Sequence, residues 1–283
     1  MPELPEVESI RMQLEKYVVG HKIENILVAN PRIFNENPQN LIGAKFVEIR
    51  RFGKVLVMDL DNGFSLVAHV KLTGQFIYRG PKLKKSVSLS KKVTGGLGGK
   101  HTHVIFELDR GAKLYYNDVR RFGWIKLVKT KDLLKENKFI ANLGPEPLKD
   151  LTLQKFKEIL NKTRRVVKVV LMDQSKIGGV GNIYANDALW LAKINPKRPA
   201  NSLTSVEIKK LFNAVEKVLK AGLKYGGASE LAFVRPDGTE GDYQSHSLVY
   251  GRTGEVCKSC KVEKIKKEML GGRGTYYCPK CQV

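Results

Sequence analysis

The sequence predicts an α+β chain: an N-terminal antiparallel β-sandwich with a flanking helix, then a helical region, then a short cysteine-bound hairpin. Three observations predict it. Short β-type runs separated by turn signals fill the chain up to about residue 130. A break at Leu143-Gly144-Pro145-Glu146-Pro147, where two prolines interrupt any regular element, gives way to apolar residues at helical spacing. All four cysteines fall within the last 27 residues.

Taken in order, Val7, Ile10, Leu14 and Tyr17 or Val18 recur at helical spacing behind Pro5 and ahead of Gly20, which predicts a first helix beginning almost at the N-terminus. Strands are predicted at Val55-Leu60, Phe64-Val70, Phe76-Arg79, His103-Leu108, Lys113-Tyr116 and Trp124-Val128, with turns at Asp61-Asn62-Gly63 and Asp109-Arg110-Gly111. Between two of these runs, Lys82-Lys100 crowds lysine, serine and glycine without apolar periodicity and reads as a mobile, solvated loop. Helices are predicted near Leu153-Asn161, Val166-Met172, Asn182-Leu191 and Val206-Lys224. The last is opened by the capping box Thr204-x-x-Glu207 and stopped by Gly226-Gly227. The expected division is 1–130, a linker over 131–150, a helical domain over 151–250 and a cysteine module over 251–283.

Charge narrows the function. With 50 Lys plus Arg against 28 Asp plus Glu, the net +22 calls for a polyanionic partner. Nucleic acid leads, with an anionic membrane surface second. No apolar run approaches the roughly 20 residues of a membrane span, and the start lacks the sections of a secretion signal, so a cytoplasmic, nucleoid-associated protein is expected.

The cysteines are spaced Cys257-x2-Cys260, then 17 residues, then Cys278-x2-Cys281. Two such knuckles at the ends of a hairpin supply four thiolates to one structural Zn²⁺, whereas a pair of disulfides is disfavoured in a reducing compartment. At the other end, removal of Met1 ahead of a small residue would leave Pro2 with a free secondary amine, a nucleophile. The positive end of the following helix lowers the pKa of that amine, and Glu3 and Glu6 lie within reach for proton transfer. On this fragment alone, acids in a first helical turn account for the pattern better.

Ile177-Gly178-Gly179-Val180-Gly181-Asn182 is a glycine-rich turn running into a helix, suited either to a phosphate or to tight packing between helices; the net charge tilts it toward phosphate. Asn117-Asp118-Val119-Arg120-Arg121-Phe122-Gly123 reads as a loop from which Phe122 can wedge between bases, and Leu72 in His69-Val70-Lys71-Leu72-Thr73-Gly74 offers a second wedge. In isolation, core positions for Phe122 and Leu72 explain each segment better.

Together the motifs resemble one family, the formamidopyrimidine-DNA glycosylases. The resemblance spans the chain and rests on MPELPEVE at 1–8, RRFGKVL at 50–56, DVRRFG at 118–123, LGPEPL at 143–148, GGVGNIYA at 178–185 and the terminal GRGTYYCPKCQ. It implies that the helical region is a helix-two-turn-helix domain and the cysteine module a zinc finger. It further implies that Pro2 is the nucleophile, Glu3 the acid/base, Glu6 a supporting group and Lys54 a phosphate contact beside the lesion. Asn182 and Arg273 would hold backbone phosphates, with His101 a weaker candidate for that task. Arg120 would fill the void left by the base, with Leu72 and Phe122 as wedges. The implied reaction is release of oxidised purines followed by β,δ-elimination, on double-stranded DNA containing oxidised bases or abasic sites, by a monomer.

The sequence departs from the family at Leu72, where methionine is usual, at Thr102, which replaces an acid, and at Val119, which replaces proline. Gly226-Gly227-Ala228-Ser229-Glu230-Leu231-Ala232-Phe233 departs from the polar, basic lesion-capping loop of many members, which bears on base preference. Two other readings are an endonuclease VIII-like enzyme for oxidised pyrimidines, against which Leu4-Pro5-Glu6-Val7 speaks, and a non-catalytic zinc-ribbon DNA-binding protein.

Overall fold

The computed structural model describes residues 1–84 and 86–283; Lys85, within the Lys82-Lys100 run, lies outside the described residues. The chain divides into two compact units, Met1–Ala141 with Tyr225–Asp242, and Asn142–Lys224 with Tyr243–Val283. The expected domain bounds run continuously, whereas the units do not: residues 225–242 rejoin the first unit.

In the first unit, α1 (Leu4–Val18) buries Val7, Ile10 and Leu14, the stripe that its spacing predicts. The strands are β1 (Ile23–Val28), β2 (Phe46–Phe52), β3 (Val55–Leu60), β4 (Phe64–His69), β5 (Gly74–Arg79), β6 (Thr102–Leu108), β7 (Lys113–Asp118) and β8 (Trp124–Lys129). They form two antiparallel sheets in the orders β1-β6-β7-β5 and β2-β3-β4-β8. Phe76, Tyr78, Val104, Phe106 and Tyr116 from one sheet meet Phe46, Ile49, Leu56, Met58 and Leu66 from the other in a single core that also takes in α1. This is the predicted sandwich with its flanking helix.

Two strands escaped the sequence reading, and both carry a register shift, between Ile23 and Asn25 in β1 and between Phe46 and Glu48 in β2. Such an irregularity puts their buried residues three apart, as Ile23 and Ile26 or Phe46 and Ile49, so the alternation that marks a strand is lost. The expected linker is structured in part. Helices α2 (Leu133–Glu136) and α3 (Lys138–Ala141) pack Leu133 and Ile140 against Val55, Val57, Val67 and Val128 on the outer face of the second sheet.

The second unit comprises α4 (Leu153–Asn161), α5 (Val167–Met172), α6 (Asn182–Leu191), α7 (Ser205–Lys224), α8 (Tyr243–His246) and the hairpin β9 (Lys266–Leu270) with β10 (Arg273–Tyr277). The capping box forms as read: Thr204 N–H donates to Glu207 Oε2 at 2.7 Å, and Glu207 N–H to Thr204 Oγ1 at 3.3 Å. Asp187, fully buried in α6, accepts from Tyr243 Oη–H at 2.9 Å and from the N–H groups of Leu248, Val249 and Tyr250 at 2.9 to 3.0 Å, which fastens the segment leading into the cysteine module. Gly222 of α7 lies against the Tyr184 ring of α6 with no room for a Cβ. Gly222→Val should therefore lower stability by about 1–3 kcal/mol through overpacking, read as a shifted urea midpoint with an unchanged slope.

Candidate functional site

The N-terminus is built into the first unit. Pro2, Glu3 and Glu6 are all buried. Glu3 is the N-cap of α1 in extended backbone, and the Glu6 carboxylate one turn on accepts Glu3 N–H through Oε2 at 2.7 Å. Its second oxygen accepts Ala228 N–H at 2.8 Å. With both oxygens held by backbone donors, Glu6 fixes where the first residues of the chain lie.

Lys54 is buried in the two-residue turn Gly53-Lys54 between β2 and β3, set by the pairing of Phe52 with Val55. Arg51 ties this turn to α1, donating to Glu8 Oε2 at 2.8 Å and to Gly53 O at 2.9 Å; burial raises the Glu8 pKa, but the hydrogen bonds from Arg51 and Arg11 hold the carboxyl below its usual range. Burial lowers the pKa of the Met1 amine; Glu3 and Glu6 oppose that shift and Lys54 reinforces it. The terminus thus sits in a desolvated setting flanked by two acids and a lysine.

His69, at the end of β4, was not singled out by the sequence reading. It is buried, and burial together with Lys71 and Lys54 pushes its pKa down to about 3. Its Nδ1 accepts Lys71 N–H at 2.9 Å, so the neutral ring carries its proton on Nε2. Its partners are brought together by folding, and in sequence it is one more alternating strand residue.

The two wedge segments share an anchor. Asp118, fully buried, accepts Thr73 Oγ1–H, Arg120 N–H at 3.1 Å and Gly123 N–H at 2.8 Å, while Thr73 Oγ1 itself accepts Arg120 N–H at 3.0 Å. Above this anchor Phe122 is 58% exposed, with the Arg120 guanidinium 4.7 Å from its ring centroid. Phe122 is therefore not a core residue, and Leu72 is only half-buried. His101 lies beside the Asp118 anchor: its carbonyl accepts Asp118 N–H at 2.9 Å and its ring lies beside Gly95.

In the second unit, Asn182 opens α6 and donates through Nδ2 to Gly274 O at 3.1 Å, which brings it to the hairpin whose neighbouring Arg273 is exposed. Gln174 shapes the glycine turn by accepting Gly179 N–H at 3.0 Å and donating to Val180 O at 2.7 Å. Lys168 of α5, also not singled out from sequence, is buried and donates to Gly274 O at 2.9 Å and Thr275 Oγ1 at 2.8 Å. A buried lysine inside an apolar helical run is a signal that sequence reading can use.

All four cysteines are free thiols, and their Sγ atoms lie within 4.8 Å of one another. Cys257–Cys281 and Cys260–Cys278 are each 3.8 Å apart. Four sulfurs at about 2.3 Å from one tetrahedral Zn²⁺ are separated by about 3.8 Å, so the set fits one structural zinc ion. Trp190 Nε1–H and Ser259 N–H each approach Cys257 Sγ at 3.4 Å and temper its charge.

Three family models match the chain: the formamidopyrimidine-DNA glycosylase N-terminal domain over residues 1–125, the H2TH domain of the same enzymes over 143–233, and the zinc finger found in FPG and IleRS over 254–283. The chain belongs to the formamidopyrimidine-DNA glycosylase family. Among curated members, formamidopyrimidine-DNA glycosylases from Listeria innocua and Pelotomaculum thermopropionicum are each 38% identical over the whole of this chain and 100% and 99% of their own lengths. Among solved structures, Lactococcus lactis Fpg in complex with oxidised-pyrimidine DNA superposes with a TM-score of 0.85 at 35% identity, covering 99% of both chains. The same protein bound to abasic-site DNA gives 0.86 at 34% identity, again covering 99% of both.

The zinc assignment carries its own check. Metal analysis should return one zinc ion per chain, and Cys278→Ser should abolish it together with the dispersed amide signals of the C-terminal hairpin.

Proposed function

We propose that the protein is a bifunctional DNA glycosylase and abasic-site lyase of base excision repair. It removes oxidised purines such as 8-oxoguanine and formamidopyrimidines, working in the cytoplasm at the nucleoid. The observation that supports this most directly is the buried start of the chain: Pro2, Glu3, Glu6 and Lys54 are all buried, and Glu3, Glu6 and Lys54 act electrostatically on the Met1 amine that immediately precedes Pro2.

After loss of Met1, the Pro2 nitrogen attacks C1′ of the damaged nucleotide. The bond to the base breaks, the base leaves with a proton, and the ring-opened sugar is held as an iminium on the enzyme. Glu3 moves the protons, protonating the sugar oxygen as the ring opens. Loss of a C2′ proton then expels the 3′ phosphate, and a second elimination expels the 5′ phosphate. Lys54 holds a phosphate beside the lesion, joined by the Nε2–H donor of neutral His69. Asn182 and Arg273 hold backbone phosphates from the second unit. Phe122 and Leu72 enter the base stack, and Arg120 fills the vacated space and meets the orphaned base. One structural zinc ion keeps the terminal hairpin, and with it Arg273, in shape.

Oxidised pyrimidines form a second substrate class, favoured by one observation: the L. lactis relative is seen with DNA of that kind. Excision across a panel of lesion duplexes separates the two.

Borohydride should fix the protein covalently to lesion-containing duplex, and an uncleaved extension ahead of Pro2 should abolish that adduct; full trapping by the extended protein would refute the mechanism. Phe122→Ala should slow base excision from duplex more than it weakens overall affinity, measured by single-turnover kinetics beside a binding titration.

A further inference from the structure

Within the Lys82-Lys100 run, expected to be mobile and solvated, residues 89–93 dock against residues 225–242. Val93 is buried in one apolar cluster with Ile77 of β5 and Val234, and Leu97 and Tyr115 pack against it. Leu89 lies against Gly238, whose φ of +84° favours glycine and strains any other residue there. The polar contacts are denser still. Ser90 N–H donates to Gly238 O at 2.8 Å and Ser90 Oγ to Glu240 Oε1 at 2.5 Å. Lys92 Nζ donates to the Ser229 carbonyl and also pairs with Glu240 Oε2 at 2.7 Å. Gln75 Nε2 donates both to Lys92 O at 2.7 Å and to Ala232 O at 2.5 Å.

Ser229 and Glu240 lie on opposite limbs of the 225–242 loop, so Lys92 staples the two limbs, and Gly241 N–H donating to Ser229 Oγ at 2.9 Å closes the same neck. The loop's other attachment is at the chain terminus. Ala228 N–H is held by Glu6, and a Cβ on Gly227 would stand 2.8 Å from Glu6 Cγ. Glu230 acts electrostatically on the terminal amine. Between these fastenings Leu231 is 64% exposed.

We propose that residues 86–93 brace this loop, and that Lys92 is a positioning residue which sets the placement of the 229–232 tip beside the terminus and thereby which damaged bases are accepted. The inference rests on the glycosylase reading above. A base delivered to the terminus for attack at its C1′ must share that space with the tip, whereas a sugar that has already lost its base presents nothing for the tip to discriminate. An exposed Lys–Glu pair by itself holds little, but here one ammonium serves two limbs within a network of backbone and hydroxyl partners, and the loss of one member loosens the others.

The test uses the full-length protein with Lys92→Met, which keeps the stem and removes the donors, and Lys92→Arg, which keeps charge and donors. Three quantities are measured: kcat/KM for 8-oxoguanine and for formamidopyrimidine-guanine duplexes, incision of a duplex with a preformed abasic site, and hydrogen exchange over 228–240. In Lys92→Met, the ratio of the two kcat/KM values should change by about fivefold, with faster exchange over 228–240, while abasic-site incision stays within about twofold of wild type. Lys92→Arg should keep the wild-type ratio. An unchanged ratio in Lys92→Met overturns the proposal, as does a parallel fall in all three activities, which would mean general destabilisation. Failure of the wild type to form a borohydride adduct on either lesion or abasic DNA would instead strike the glycosylase reading itself.

Discussion

A single buried carboxylate decides where the first residues of this protein lie. Glu6 accepts the Glu3 N–H with one oxygen and the Ala228 N–H with the other, so it couples the first turn of α1 to a segment more than two hundred positions downstream. Chain termini are ordinarily the least constrained part of a domain. Here the first residues are an exception: Pro2, Glu3 and Glu6 are all buried, and the Glu6 carboxylate fixes them through two backbone donors. The attack proposed for Pro2 would gain from being held in place in this way.

The same physical device recurs at Asp118 and Asp187. Each is a buried acid accepting from several N–H or O–H donors, and each ties separate stretches of chain into one rigid piece: the Thr73 turn with the Arg120–Gly123 loop, and α6 with residues 248–250. Buried carboxylates are costly unless their lone pairs are filled, and when filled they define geometry closely. The exposed Phe122 is held out on such a foundation. The zinc site works in the same sense with a metal ion in the central role, since four thiolates around one centre hold a hairpin too small to have a core of its own.

Periodicity read the fold well wherever elements follow simple rules. Helices α4 and α6 begin and end where their sequence cues put them, and the Thr204-x-x-Glu207 box forms with both hydrogen bonds. It failed at β1 and β2, where irregular pairing spaces the buried residues by three, and at Lys82-Lys100, where Leu89, Val93 and Leu97 are too sparse within a polar run to announce an apolar face. Val234, one of the residues that cover that face, lies some 140 residues further on, and nothing local reveals it. The site divided along the same line. Pro2, Glu3, the glycine turn and the cysteines stand out as motifs, while His69 is an ordinary member of a strand in sequence, and the partners of Lys168, Gly274 and Thr275, lie about a hundred residues away.

What the sequence determined by itself was everything encoded at short range or by composition: the element types, the polyanionic partner implied by a charge of +22, the metal implied by paired CxxC knuckles, and the family. Tertiary structure alone decided what stands beside individual side chains. Phe122 is exposed rather than core, Glu6 is fixed by two backbone donors, and residues 89–93 of the lysine-rich run pack against the 225–242 loop rather than standing in solvent. The reason is that burial and hydrogen-bond partnership are properties of pairs of residues distant along the chain, and a pattern of single residues carries no record of which distant group will stand opposite.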